Sequence, residues 1–342
     1  MRATCFDPAA QAGLAELGYA VIPFLDDDAI ADLEAVYWRL GPAPGDPRMT
    51  IHFDFQSDSP PYKERVADAV RPLLEPRIDR ALDRYHLFSP NFIMKWPGAR
   101  SGFAPHQDTS LVDESQHRSV TIWCPLTDTL GGDHGDNGVL RFVPGSHDFV
   151  EWIRAHDPGA FAFPGTEQDI IDRYGVEVPL RAGEAIVFDH RVVHFSMPNA
   201  HPEPRLVIAM GLRPEEADLL HYRRDGDDDE FDVYEIDDDY YINMNPFALR
   251  EGVAGYERVD RVRMERPVVT PDDFDAMCRR VRYVDASHSS PTRVNADPFC
   301  FRCGTQENLV SEAPRVEHGN LQILCVSCDE RFRAAAAEPL RA

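Results

Sequence analysis

Residues 103–126 read FAPHQDTSLVDESQHRSVTIWCPL, with His106, Gln107 and Asp108 at their centre. Side chains at i and i+2 of an extended segment project to the same face. An imidazole and a carboxylate in that spacing can therefore hold one metal ion together. A second segment, residues 185–213, AIVFDHRVVHFSMPNAHPEPRLVIAMGLR, supplies His194 as a third candidate ligand and, eleven residues later, Arg205. His190 precedes His194 by four residues. In an extended segment i and i+4 also share a face, so spacing alone leaves both histidines open. Two imidazoles and one carboxylate are the facial triad of non-haem iron sites, which leaves coordination positions free.

Around these two segments, the texture from Asn91 onward is β. Short runs at 92–96, 119–125, 139–143, 177–180, 185–188 and 206–212 are separated by the turn signals Pro97-Gly98, Gly131-Gly132, Asn137-Gly138, Pro144-Gly145 and Ala182-Gly183. Many short strands with Gly-rich turns predict a sandwich or barrel, mainly β with flanking helices. Trp123, on the strand after the His-x-Asp pair, is expected to face the interior. A short helix is expected around 149–155.

The flanking helices are N-terminal. A strand is predicted at 19–24 after the Gly18 stop, and Asp28 is a candidate cap for a helix whose face carries Ile30, Leu33, Val36, Tyr37 and Leu40. A second helical region, 63–86, contains Pro72 and Pro76, which are expected to bend or divide it. The segment 213–247 is a different kind of sequence. Its acidic run 225–230 reads as a solvated loop, and Tyr234, Tyr240, Tyr241 and Phe247 suggest a lid.

The chain has 342 residues, enough for one large domain and a small one. Its 35 basic and 59 acidic residues give a formal charge of -24. Such a surface repels phosphate backbones and anionic membranes, so neither nucleic acid nor a membrane is an expected partner. The start, MRATCFDPAAQAGLAELG, lacks the basic n-region and apolar core of a signal peptide. Nothing approaches the ~20 apolar residues of a membrane helix. A cytoplasmic protein is expected.

Near the C-terminus, Cys300-Phe-Arg-Cys303 and Cys325-Val-Ser-Cys328 are separated by 21 residues. Two Cys-x-x-Cys pairs at this separation offer four thiolates for tetrahedral, structural zinc. The domain reading is thus a large β domain at 1–290, with N-terminal helices and the acidic insertion near 213–247, and a zinc-ribbon-like module of four cysteines at 296–333. That module is acidic rather than basic and suggests docking of a protein partner.

The segment around His106, the Asn137-Gly138 turn leading into Arg141-Phe-Val-Pro-Gly-Ser-His147, and the stretch His194-Phe-Ser196-Met-Pro-Asn199 to Arg205 together resemble the phytanoyl-CoA dioxygenase family. The similarity spans about residues 18–214. The resemblance implies a double-stranded β-helix (jelly-roll or cupin-like) and an oxygenase dependent on Fe(II), 2-oxoglutarate and O2. It implies that His106, Asp108 and His194 ligate iron, that Arg205 pairs with the distal carboxylate of 2-oxoglutarate, and that Ser196 adds a hydroxyl contact to it. Asn199 matches the motif and is expected to orient the site, with Trp123 alongside the cofactor. Related halogenases have a small residue in place of the carboxylate. Asp108 is intact, which favours hydroxylation of an unactivated C–H bond, with release of succinate and CO2, over chlorination; desaturation, epoxidation and ring rearrangement stay open.

The substrate implied is a small metabolite or natural-product intermediate. Lys95, Arg100 and Arg118 are candidate contacts for an acidic substrate, each to be weighed against a plain solvated charge. Two rival readings stand beside the leading one. One is a non-catalytic protein in which the β-helix binds a metabolite and the zinc module docks a partner. The other is a cupin-type metalloenzyme without 2-oxoglutarate, which would have no need of Arg205.

Overall fold

The computed structural model describes residues 1–41, 50–131, 135–149, 153–155, 163, 166–224, 229–243, 253, 255–264, 269–280, 315–317 and 320–322. In chain order the elements are α1 (Pro8–Glu16), β1 (Tyr19–Pro23), α2 (Asp27–Leu40), β2 (Ile51–Phe53), α3 (Pro60–Ala81), β3 (Tyr85–Lys95), β4 (Phe103–His106), β5 (Val120–Pro125) and β6 (Leu140–Phe142). There follow α4 (Glu167–Asp169), β7 (Val176–Glu177), β8 (Glu184–Asp189), β9 (His194–Ser196), β10 (Arg205–Pro214), β11 (Leu219–Arg224) and β12 (Glu230–Ile236). The last are α5 (Asp238–Asn243), β13 (Arg258–Arg263), α6 (Pro271–Arg280), β14 (Arg315–Glu317) and β15 (Asn320–Gln322).

Strand alternation builds the layers. In β10, Leu206, Ile208, Met210 and Leu212 join one apolar cluster, while Val207 and Ala209 join another. The same period of two divides β5 into Val120, Ile122 and Cys124 on one side and Trp123 on the other. These strands lie in a six-stranded antiparallel sheet of order β1-β8-β5-β10-β3-β2. One of its faces packs on the N-terminal helices through Leu14, Leu33, Val66, Val70, Leu74 and Ile78. Burying each such side chain contributes roughly 1.5–3 kcal/mol.

The other face meets a four-stranded sheet of order β4-β9-β6-β7, with Leu140 and Phe142 in the shared core. Beyond the smaller sheet, Val193, Phe195 and Met197 pack with Phe274 of α6. Two facing antiparallel sheets with helices outside form a jelly-roll-like arrangement. Among the described residues it is a sandwich of two sheets and not a closed barrel.

Several local expectations are corrected. α3 runs through both prolines without a break. Pro72 and Pro76 lie on its exposed side, where water can satisfy the carbonyls they leave unpaired, while Tyr62, Val66, Val70, Leu74 and Ile78 hold the opposite side in the core. Tyr85 and His86, assigned to that helix by periodicity, begin β3. The cap of α2 is Asp26, which accepts from the Ala29 amide at 2.9 Å, and not Asp28.

The segment 213–247, of which only the acidic run 225–230 reads as a loop, carries the hairpin of β11 and β12, extended by β13 into a three-stranded sheet, and then α5. Charges at the half-exposed positions hid its buried Leu219, Tyr222, Phe231 and Val233. Phe247 and part of the acidic run lie outside the described residues. So do residues 150–152 of the helix expected around 149–155; a 3-10 turn at Ser146–Asp148 precedes it. Cys300, Cys303, Cys325 and Cys328 also lie outside them, although β14 and β15, a short hairpin between the two pairs, do not.

Candidate active site

Both ends of the site are set by strand register. In the smaller sheet His106 of β4 sits opposite His194 of β9. In the larger sheet Lys95 of β3 sits opposite Arg205 of β10. By alternation, Arg205 shares the inner side of Val207 and Ala209, and Lys95 that of Ile93. The two pairs thus face each other across the space between the sheets. Ser196 links them, being two residues from His194 on β9 and accepting a 2.7 Å hydrogen bond from Lys95 Nζ.

The first pair completes a cluster. Ligand atoms of His106, Asp108 and His194 all lie within 4.8 Å of one another. Asp108 follows the end of β4 and is not part of the strand, so the shared face anticipated from i and i+2 spacing is achieved by a loop. Gln107 points elsewhere, donating from Nε2 to the Arg191 carbonyl at 2.5 Å. The Arg154 guanidinium fixes the loop by donating from Nε to the Asp108 carbonyl at 2.7 Å.

The imidazole tautomers follow from their partners. His106 Nδ1 lies 2.8 Å from the Ala104 carbonyl and His194 Nδ1 lies 3.1 Å from the Val192 carbonyl. A carbonyl only accepts, so each Nδ1 carries a proton and, in the neutral ring, each Nε2 presents a lone pair. Those Nε2 atoms stand 3.7 Å and 3.8 Å from Asp108 Oδ1. Burial, with the nearby His194, pushes His106 down to about 3 and keeps it neutral. Burial alone would raise Asp108, but His194, His190, His106 and the Thr121 hydroxyl hold it below its ordinary value, so it is a carboxylate. Two imidazole nitrogens and a carboxylate oxygen converging in this way suit a divalent cation.

The second pair is a buried concentration of positive charge. Lys95 is fully buried and Arg205 is 2% exposed. Lys95 Nζ also donates to the Met197 carbonyl at 2.8 Å. Arg205 donates to the Gly138 carbonyl, lies 4.9 Å over the Trp123 ring, and has a buried Nε with no partner. Burial pushes Arg205 down to about 9, with Asp136 opposing. Asp136 is committed elsewhere: it accepts from the Gly138 and Val139 amides at 2.7 Å and 3.0 Å and from Arg141 at 2.7 Å. A guanidinium and an amine that a carboxylate can protonate are together complementary to an anion with two oxygens. Gly138 matters here. At φ +87°, an added Cβ would stand 2.4–2.9 Å from Lys95 side-chain atoms.

Other sequence candidates fall elsewhere. Asn199 donates to the Lys95 and Glu203 carbonyls at 3.0 Å and 2.9 Å and accepts from the His201 amide at 2.9 Å, bracing the loop between β9 and β10. Arg118 is no solvated charge: its Nε lies 3.0 Å from Asp189, which also binds Arg191 at 2.7 Å. Lys95, read as a substrate contact, sits with Arg205 and Ser196. His190 stays outside the three-residue cluster; its Nε2 lies 3.0 Å from Thr121 Oγ1. Gly138 and Thr121 were missed from the sequence, because both act through contacts between distant segments.

The chain belongs to the phytanoyl-CoA dioxygenase (PhyH) family, whose model matches residues 18–207, more than half of the sequence. Phytanoyl-CoA dioxygenase domain-containing protein 1 of Danio rerio is 30% identical over 152 residues, 41% of this chain and 51% of the relative. The protein of the same name in Mus musculus is 30% identical over 128 residues, 35% of this chain and 42% of the relative. The chain thus spans about half, or less, of the length of these curated relatives.

Among solved structures, the non-heme alpha ketoglutarate dependent carbocyclase SnoK from nogalamycin biosynthesis is similar over 63% of this chain and 86% of its own. Its identity is 19% and the TM-score 0.44. HygX from Streptomyces hygroscopicus, with nickel, 2-oxoglutarate and hygromycin B bound, is similar over 62% of this chain and 88% of its own. Its identity is 16% and the TM-score 0.42.

Proposed function

We propose that this protein is an Fe(II)- and 2-oxoglutarate-dependent dioxygenase acting on a small molecule, with hydroxylation of an unactivated C–H bond as its reaction. His106 Nε2, His194 Nε2 and Asp108 Oδ1 would hold the iron. Arg205, Lys95 and the Ser196 hydroxyl would hold the distal carboxylate of 2-oxoglutarate. The observation that carries this reading is the buried pair of Arg205 and Lys95 opposite the cluster, the guanidinium having a buried Nε left unpartnered. A protein binding only a metal has no use for a buried guanidinium and amine side by side, whereas a dicarboxylate that also reaches the metal supplies the negative partner for both. When bound, iron and 2-oxoglutarate together activate O2 and release succinate and CO2.

The chain's own residues do the positioning. The Nδ1-to-carbonyl bonds aim both imidazoles, and Arg205 and Lys95 fix the direction of the cosubstrate. Apolar neighbours such as Phe142 and Phe188, packed around His194, exclude water.

An anaerobic titration with Fe(II) and then 2-oxoglutarate tests this. Wild type is expected to develop the weak visible charge-transfer band of 2-oxo acid chelation. Asp108→Ala is expected to lose it, and Arg205→Ala to raise the 2-oxoglutarate Kd by about 100-fold or more, the scale of losing a buried charge-assisted partner. Iron binding without any band or 2-oxoglutarate affinity would instead favour the cupin-type reading. For the C-terminal region, the spacing of Cys300, Cys303, Cys325 and Cys328 supports structural zinc and a partner-docking role.

A further inference from the structure

We propose that a chain of hydrogen bonds, Ser119–His190–Thr121–Asp108, buried at its Ser119 and His190 end, presents Asp108 to the iron through one oxygen only, making Thr121 and His190 positioning residues. This rests on the iron site proposed above. Thr121 Oγ1 lies 3.2 Å from Asp108 Oδ2 and 3.0 Å from His190 Nε2, and His190 Nδ1 lies 2.9 Å from Ser119 Oγ. Ser119 is 1% and His190 2% exposed.

The directions of the bonds follow from donor arithmetic. The Asp108 carboxylate can only accept, so the single Thr121 proton goes to Oδ2. His190 Nε2 must then donate to Thr121 Oγ1, and His190 Nδ1, in the neutral ring that burial favours, accepts from the Ser119 hydroxyl. Every proton in the chain has one destination. Oδ2 is thereby occupied, while Oδ1 is the oxygen facing His106 and His194.

The consequence concerns the positions left open on the metal. A carboxylate free to rotate can chelate through both oxygens and occupy a position that 2-oxoglutarate or O2 requires. Thr121, on the inner side of β5 beside Trp123, blocks that by holding Oδ2. The strand also explains why the bond is rigid. Thr121 sits opposite Gly211 of β10 and Phe188 of β8, in the interior of the larger sheet. His190 immediately follows β8 and cannot swing away. The ambiguity between His190 and His194 at i and i+4 is thus resolved into two roles: one histidine is a ligand, and the other orients the ligand carboxylate.

Four variants test the proposal: Thr121→Val, Thr121→Ser, His190→Leu and His190→Gln. Fe(II) affinity and the 2-oxoglutarate charge-transfer band are read anaerobically, with thermal unfolding as a control. Thr121→Val is expected to weaken Fe(II) binding about 10- to 100-fold, the usual scale for losing a group that orients a ligand, and to shift or weaken the band. Thr121→Ser, which keeps the hydroxyl, is expected to stay within about threefold of wild type. His190→Leu should move in the direction of Thr121→Val, and His190→Gln, which restores an amide donor near Nε2, should recover part of the loss.

Normal iron affinity and an unchanged band in folded Thr121→Val would overturn the proposal, as would an equal loss in Thr121→Ser. Nitrogen NMR of the unmutated protein gives a readout independent of folding: a neutral His190 protonated at Nδ1 rather than Nε2 would sink the chain as drawn. Failure of the underlying reading looks different, since wild type itself would then give no band.

Discussion

A single buried lysine links electrostatics to cosubstrate binding. Lys95 lies well below its ordinary pKa, first because burial disfavours its ammonium and then because Arg205 faces it across the strands, with Asp136 opposing. In its neutral form it still has two donors, enough for Ser196 Oγ and the Met197 carbonyl. An incoming carboxylate favours the charged form and raises that pKa. Between the two values binding takes up a proton; below the lower one Lys95 is already charged and uptake vanishes. Calorimetric titration of 2-oxoglutarate in buffers of different ionisation enthalpy should therefore show uptake approaching one proton at pH values between the lowered and the restored pKa. Lys95→Met should abolish it. Wild-type binding with no proton change at any pH where the protein stays folded would show that Lys95 keeps one protonation state throughout.

Between elements, Asp54 is the joint that ties the N-terminal helices to the larger sheet. It accepts from the Tyr62 hydroxyl of α3 at 2.9 Å and from the Phe92 amide of β3 at 3.1 Å. Burial raises it from its ordinary 3.8 to about 6, against those two hydrogen bonds, which lower it. The folded state therefore prefers the protonated acid. Its contribution is fully present below about 3.8 and is lost as pH rises through about 6. The whole loss is roughly 3 kcal/mol for a difference of that size. Asp54→Asn removes the titration while keeping a hydrogen-bonding side chain. Relative to wild type, its unfolding free energy should improve by about 2 kcal/mol between roughly pH 4.5 and 7.5, the rest of the loss falling at lower pH. An equal gap at both pH values would assign the joint's pH dependence to another group.

For the molecule as a whole, the proposed division near residue 290 separates iron chemistry from zinc. Among the described residues the His106, Asp108 and His194 cluster is built entirely from strands and loops of the two sheets. The two cysteine pairs come later in the chain. Metal analysis of the full chain, purified without added metal, should find about one equivalent of zinc, as a site of four thiolates implies. A chain ending at residue 290 should lose that zinc yet keep the 2-oxoglutarate band. Loss of the band in a folded truncated chain would join the two regions into one functional unit.

The β-rich architecture, the His106 and Asp108 pair, a distal histidine at 190 or 194 that only the family resemblance resolves, and Arg205 are all legible in the linear chain. Each is carried by a local signal: turn residues between short apolar runs, i and i+2 spacing, and a motif that survives in linear order. The passage of α3 through Pro72 and Pro76 is not legible there, because it depends on which side of the helix faces water. Nor is the buried apolar side beneath the charges of β11 and β12. The choice between His190 and His194, the pairing of Lys95 with Arg205, and the loss of Arg118 to Asp189 emerge once the strands are packed. These depend on strand register and on contacts between segments far apart in the chain, and periodicity within one segment carries no information about either.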